Sequence, residues 1–276
     1  MKKSIIAAGV GAAVSLLAAT ASAESASGFS SGGYTYPAYS SPGVALLDSF
    51  YFRYEGGDHH LASLACRPEN GKITLAFADV NNDDDYYYSV EHKRRTDAGI
   101  ITGSFVDFGH GTALYPLTSP GAGYVFALRG FRFYYRDGSD HHMNQVAILR
   151  EGSGVRTRFN DVGIDNDYVV YVDYAWLPPA VVSSAGTLSG VDDGGGVQRS
   201  LANASQAVIS GFSMDFTSSD HHLQEIGVLT RTSDVQVYYS DNNQDDDFNY
   251  RVDYAILRTP VVFAPAGTSA PATASP

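Results

Sequence analysis

Phe50-Tyr51-Phe52-Arg53-Tyr54-Glu55-Gly56-Gly57-Asp58-His59-His60 is the stretch from which the fold can be read. Phe50, Phe52 and Tyr54 alternate with Tyr51 and Arg53, the period-two signature of a strand with one face against a core. Two glycines and a polar triplet then end the run. The same order returns twice: Phe131 and Phe133 precede Asp140-His141-His142, and Phe212, Met214 and Phe216 precede Asp220-His221-His222. In each copy another aspartate stands 21 positions after the first, at Asp79, Asp161 and Asp241.

Between these landmarks lie two more short apolar runs. Leu64 and Cys66, Val146 and Ile148, and Ile226 and Val228 predict a second strand. Ile73, Leu75 and Phe77, with Val155 and Phe159, and with Val235, Val237 and Tyr239, predict a third. An acidic loop follows. A fourth strand then reads Tyr86, Tyr88, Val90, His92; Tyr168, Val170, Val172, Tyr174; and Phe248, Tyr250, Val252, Tyr254. The Gly- and Ser-rich connectors hold weak strand candidates at 100–106 and 186–191. A further weak strand is expected somewhere in 24–42.

The fold expected is all-β, with three internal repeats of about 80 residues, each a small antiparallel sandwich-like unit. The boundaries expected are 24–97, 98–181 and 182–262. Residues 1–23 read as a signal peptide, with a basic start, an apolar core and Ala21-Ser22-Ala23 as a small-residue cleavage site. Residues 263–276, rich in Pro, Ala, Ser and Thr, read as a disordered tail.

Without Lys2 and Lys3 the chain has 16 basic residues against 30 acidic ones, a net charge of −14. Such a field repels phosphate backbones and attracts cations, which argues against nucleic acid as a partner. No mature stretch is apolar enough for a transmembrane span. The single cysteine, Cys66, allows no internal disulfide and aligns with Ile148 and Val228, so it reads as a small core residue. An exported protein follows, periplasmic, at the cell surface or extracellular.

If Cys66 faces Ile73 across the hairpin between strands two and three, His60 faces Asp79. By the same register His142 faces Asp161 and His222 faces Asp241. Asp58, Asp140 and Asp220 share that face, and His59 points away. Behind Asp79 the loop offers Asn81, Asp83 and Asp85; behind Asp241 it offers Asn243, Asp245 and Asp247. Oxygen donors at every second position suit Ca²⁺. Asp84 and Asp246 stand where an EF-hand needs Gly, and the flanks are strands, so the EF-hand itself is excluded. The middle loop keeps Asp161, Asp165 and Asp167 but has Gly163 at its third position. A second metal reading places Zn²⁺ or Mn²⁺ on Asp58, His60 and Asp79. The same residues also fit a polar cap in which imidazole and carboxylate satisfy each other.

No G-x-S-x-G, Walker loop or paired nucleophile and base is present. The sequence points to a secreted, non-enzymatic recognition or adhesion protein, binding a glycan or surface polymer with the help of Ca²⁺. Two alternatives are a Ca²⁺-stabilised envelope or matrix protein and a metal-dependent hydrolase.

Overall fold

The alternating runs form strands, and each repeat makes six of them. In a computed structural model residues 21–39, 43–56, 60–79, 85–136, 141–161, 167–193, 195–217, 221–241 and 247–259 are described. The first repeat holds β1 (Ala21–Ser31), β2 (Tyr34–Thr35), β3 (Val44–Tyr54), β4 (Leu61–Glu69), β5 (Lys72–Asp79) and β6 (Asp85–Arg95). The second holds β7 (Ile101–His110), β8 (Thr112–Pro116), β9 (Val125–Tyr135), β10 (Met143–Glu151), β11 (Gly154–Asp161) and β12 (Asp167–Leu177). The third holds β13 (Val182–Asp193), β14 (Gly196–Ser200), β15 (Ala207–Phe216), β16 (Leu223–Thr230), β17 (Asp234–Asp241) and β18 (Asp247–Leu257). One 3₁₀ turn, Ala204–Gln206, is the only helical element among the described residues. The all-β, three-repeat architecture expected from the sequence is the one observed.

No sheet is built from one repeat. The three six-stranded antiparallel sheets run β1-β6-β3-β16-β17-β14, β7-β12-β9-β4-β5-β2 and β13-β18-β15-β10-β11-β8. Each repeat gives its first, third and sixth strands to one sheet and its second, fourth and fifth to another. The exchange is cyclic, and its register repeats. Val228 pairs with Phe50, Cys66 with Phe131, and Ile148 with Phe212.

The alternating aromatics explain why the exchange closes on itself. Phe50, Phe131 and Phe212, one per repeat, are fully buried and meet as a triad with ring centroids 5.0–5.3 Å apart. Two residues further along each strand lie Phe52, Phe133 and Met214, and then Tyr54, Tyr135 and Phe216. This last set stacks on the fifth strand of its own repeat, Tyr54 on Phe77, Tyr135 on Phe159 and Phe216 on Tyr239, at 4.0–4.6 Å. Each such ring contributes roughly 1.5–3 kcal/mol by leaving water. These layers form an aromatic stack within one buried cluster that draws on all three repeats, and a second, smaller cluster gathers Leu46, Ala127, Leu177, Val208 and Leu257.

The connectors carry more structure than their composition suggests. β7 and β13 are ten and twelve residues long, and β1 has eleven. The glycines in these edge strands sit opposite tyrosines: Gly103 pairs with Tyr174, and Gly186 with Tyr254. Each tyrosine ring lies over its glycine, in space that a Cβ would occupy. Glycine thus weakens the strand signal while providing room for the ring. β1 begins at Ala21, so it includes the last residues of the expected signal peptide. Its Glu24 accepts a 2.7 Å hydrogen bond from Arg94. Residues 1–20 and the tail 263–276 lie outside the described residues. Among the described residues no helix is long and apolar enough to cross a membrane.

Candidate metal centre

The Asp-His-His triplet lies on the crossing from the third strand to the fourth, where the chain changes sheets. The acidic loop, from the fifth strand to the sixth, makes the return crossing. Backbone bonds tie the described ends of these crossings together. The Glu55 amide donates to the Asp85 carbonyl at 2.9 Å, Arg136 to Asp167 at 3.2 Å, and Thr217 to Asp247 at 2.9 Å. At their other ends Leu61 pairs with Asp79, Met143 with Asp161, and Leu223 with Asp241. The described ends of the crossings therefore lie at the Tyr54, Tyr135 and Phe216 end of the aromatic stack.

The hairpin register differs from the one expected. Cys66 pairs with Leu75 rather than Ile73, because β4 continues to Glu69 and the turn is only Asn70-Gly71. Both turn residues have left-handed φ, 47° and 77°, as a two-residue Asn-Gly hairpin requires. That two-residue slip keeps each side chain on its face. A β-bulge between Leu61 and Ser63 does not: its extra residue reverses the parity beyond it. Equivalent bulges lie between Met143 and Gln145 and between Leu223 and Glu225. The expected pairing of His60 with Asp79, His142 with Asp161 and His222 with Asp241 is thereby corrected.

In the second and third repeats the first histidine of the pair takes the inward place. His141 is buried, stacks on Tyr135 with centroids 3.6 Å apart, and brings Nδ1 to 3.3 Å from an Asp161 carboxylate oxygen. His221 does the same against Phe216 at 3.9 Å, with Asp241 at 3.5 Å. His59 is outside the described residues. These anchors fix the backbone on which the second histidine is carried.

The second histidines converge. His60, His142 and His222 are half-buried, and one ring nitrogen from each lies within 4.8 Å of the other two. The Nε2 atoms of His60 and His142 are 3.1 Å apart, with the rings parallel and centroids at 4.9 Å. His222 lies at 4.6 Å from His60 and 4.5 Å from His142, centroid to centroid. This is the only grouping of three or more metal-ligating residues among the described residues.

Of the remaining candidates, Asp79, Asp161 and Asp241 close the fifth strands and Asp85, Asp167 and Asp247 open the sixth. Asp167 accepts a 2.8 Å bond from the exposed His110 Nδ1. Asp58, Asn81, Asp83, Asp140, Asp165, Asp220, Asn243 and Asp245 lie outside the described residues.

Two polar features were not legible as sites. His92 is fully buried at the opposite part of β6, where its Nε2 donates to the Arg129 carbonyl at 2.7 Å and its Nδ1 faces the Tyr39 hydroxyl at 2.5 Å. A carbonyl can only accept, so this tautomer carries its proton on Nε2. Burial lowers its pKa to about 3. A cleft of about 450 Å³ lies elsewhere, lined by Trp176, Tyr124, Arg150, Asp253 and Tyr254 among others. The Arg150 guanidinium lies 5.5 Å above the Trp176 ring.

No protein-family model matches the chain, and a comparison with curated proteins gives no match either. The functional reading rests on the residues themselves.

Proposed function

We propose that this is an exported recognition protein that presents three Ca²⁺-binding loops together on one face and binds a glycan or surface polymer there. The supporting observation is the placement of the loop ends: Asp79, Asp161 and Asp241 pair with Leu61, Met143 and Leu223, the residues next to the clustered His60, His142 and His222. Three weak sites held at fixed separation gain avidity for a repeating polymer without any new contact. The carboxylate-rich loops favour a hard cation, and Ca²⁺ in turn can take hydroxyl oxygens of a sugar into its shell. The cleft beside Trp176 has the mixture of aromatic faces, guanidinium and carboxylate that also suits a sugar ring.

Thermal melting of chelator-treated protein with and without millimolar Ca²⁺ tests the first half. At a concentration 100-fold above Kd, bound Ca²⁺ adds about 2.7 kcal/mol per site. An unchanged melting curve would reduce the acidic loops to polar caps. A glycan array with and without Ca²⁺ tests the second half; no binding under either condition would favour a structural role in an envelope or matrix.

A further inference from the structure

We propose that His60, His142 and His222 jointly bind one divalent transition-metal ion of the zinc class on the axis, and that this ion staples the three repeats together. This inference is independent of Ca²⁺ at the acidic loops and needs no glycan ligand.

Three observations carry it. The first is chemical: the converging atoms are imidazole nitrogens, which suit Zn²⁺, Ni²⁺, Cu²⁺ and Co²⁺ and are poor partners for Ca²⁺. The second is geometric. With metal–nitrogen bonds of about 2.0–2.1 Å, tetrahedral ligands sit about 3.3 Å from each other. The His60–His142 Nε2 separation of 3.1 Å is already close to that value, and all three nitrogens lie within 4.8 Å. Small rotations of three half-buried side chains complete the set. The third is the support behind each ligand. A bulge and, in two repeats, a buried His–Asp pair set the backbone from which the axial histidine projects. A site built this way holds its ligands before any ion arrives.

The placement also gives the ion a structural task. His60 and His142 are 82 residues apart in sequence, and His222 lies 80 beyond His142. Binding one ion closes two long loops between residues that each directly precede the fourth strand of a repeat. In a chain whose only cysteine is buried and unpaired, this is a cross-link the sequence can make. Three protein ligands leave a fourth position for water or an exogenous donor.

The test is a Co²⁺ and Zn²⁺ titration of the full chain after chelation. Co²⁺ should give the visible d–d absorption of a tetrahedral nitrogen site, saturating at one equivalent per chain, and one equivalent of Zn²⁺ should displace it. His142→Ala and the more conservative His142→Gln should each weaken Co²⁺ binding at least 100-fold, with the far-UV circular dichroism spectrum retained. Glu69→Gln, at the opposite end of β4 from His60, should leave the titration unchanged. No visible band with the unsubstituted protein, saturation at three equivalents, or full binding by His142→Ala would each overturn the proposal. Ca²⁺ alone should neither produce nor abolish the signal, so failure here is distinct from failure of the Ca²⁺ reading.

Discussion

Phe131→Ala should unfold the molecule more easily everywhere, not only in the second repeat. Phe131 is fully buried and touches Phe50 at 5.3 Å and Phe212 at 5.2 Å, so it contacts both other repeats. Removing a buried Phe ring costs about 3–5 kcal/mol when the surroundings cannot collapse. Collapse is hindered here, because Phe131 lies on β9 and β9 is held on both sides, by β12 and by β4 of the first repeat. The loss should appear in guanidinium denaturation followed by two probes. Trp176, the only tryptophan, reports on β12 in the second repeat, and far-UV circular dichroism reports on all three sheets. Both should shift together to lower denaturant with one transition. Separated transitions, with Trp176 moving early and the remaining dichroism unchanged, would refute the interlocked core. So would a loss below about 0.5 kcal/mol, the range expected of an ordinary surface substitution.

Two further expectations follow from the same contacts. His92 is held neutral by burial with its pKa lowered to about 3, whereas in the unfolded chain it titrates near 6.5. Between those values the unfolded state binds the extra proton, so stability falls as pH drops, by about 1.4 kcal/mol per pH unit. His92→Gln should remove that slope, retaining about 2 kcal/mol more of its own neutral-pH stability at pH 5 than the unsubstituted protein does; parallel pH profiles would exclude His92 as the source. Deleting residues 182–262 should prevent folding of the remainder, since it leaves only the β7-β12-β9-β4-β5-β2 sheet complete and exposes edges at β3 and β10. A soluble, cooperatively melting fragment would contradict the exchange.

The sequence made the strands legible because Phe50/Phe52/Tyr54 and their counterparts alternate without interruption, and the repeat was legible from its fixed spacing. Which repeat each strand joins was not legible, because Cys66 could pack equally well against a strand of its own repeat or against Phe131. The inward and outward histidines were exchanged for a definite reason. The Asn70-Gly71 signal for a two-residue turn was present, but the bulge after Leu61 has no residue signature, and one extra residue inverts everything beyond it. Gly103 and Gly186 likewise read as loop until the tyrosine that lies over each is known. The histidine cluster needed the axis, and the axis needed the exchange.

The pairing of β3 with β16 has a consequence in time. Phe50 is among the first core residues to leave the ribosome, and its partner strand, containing Val228, is among the last. Until then β3 has one open edge and the aromatic triad lacks Phe212. Contacts of such long range slow folding, and an open apolar edge held for that interval invites pairing with another chain. The first repeat must therefore wait for the third, and whatever shields β3 in the meantime, a chaperone or slow collapse, governs the yield of the finished molecule.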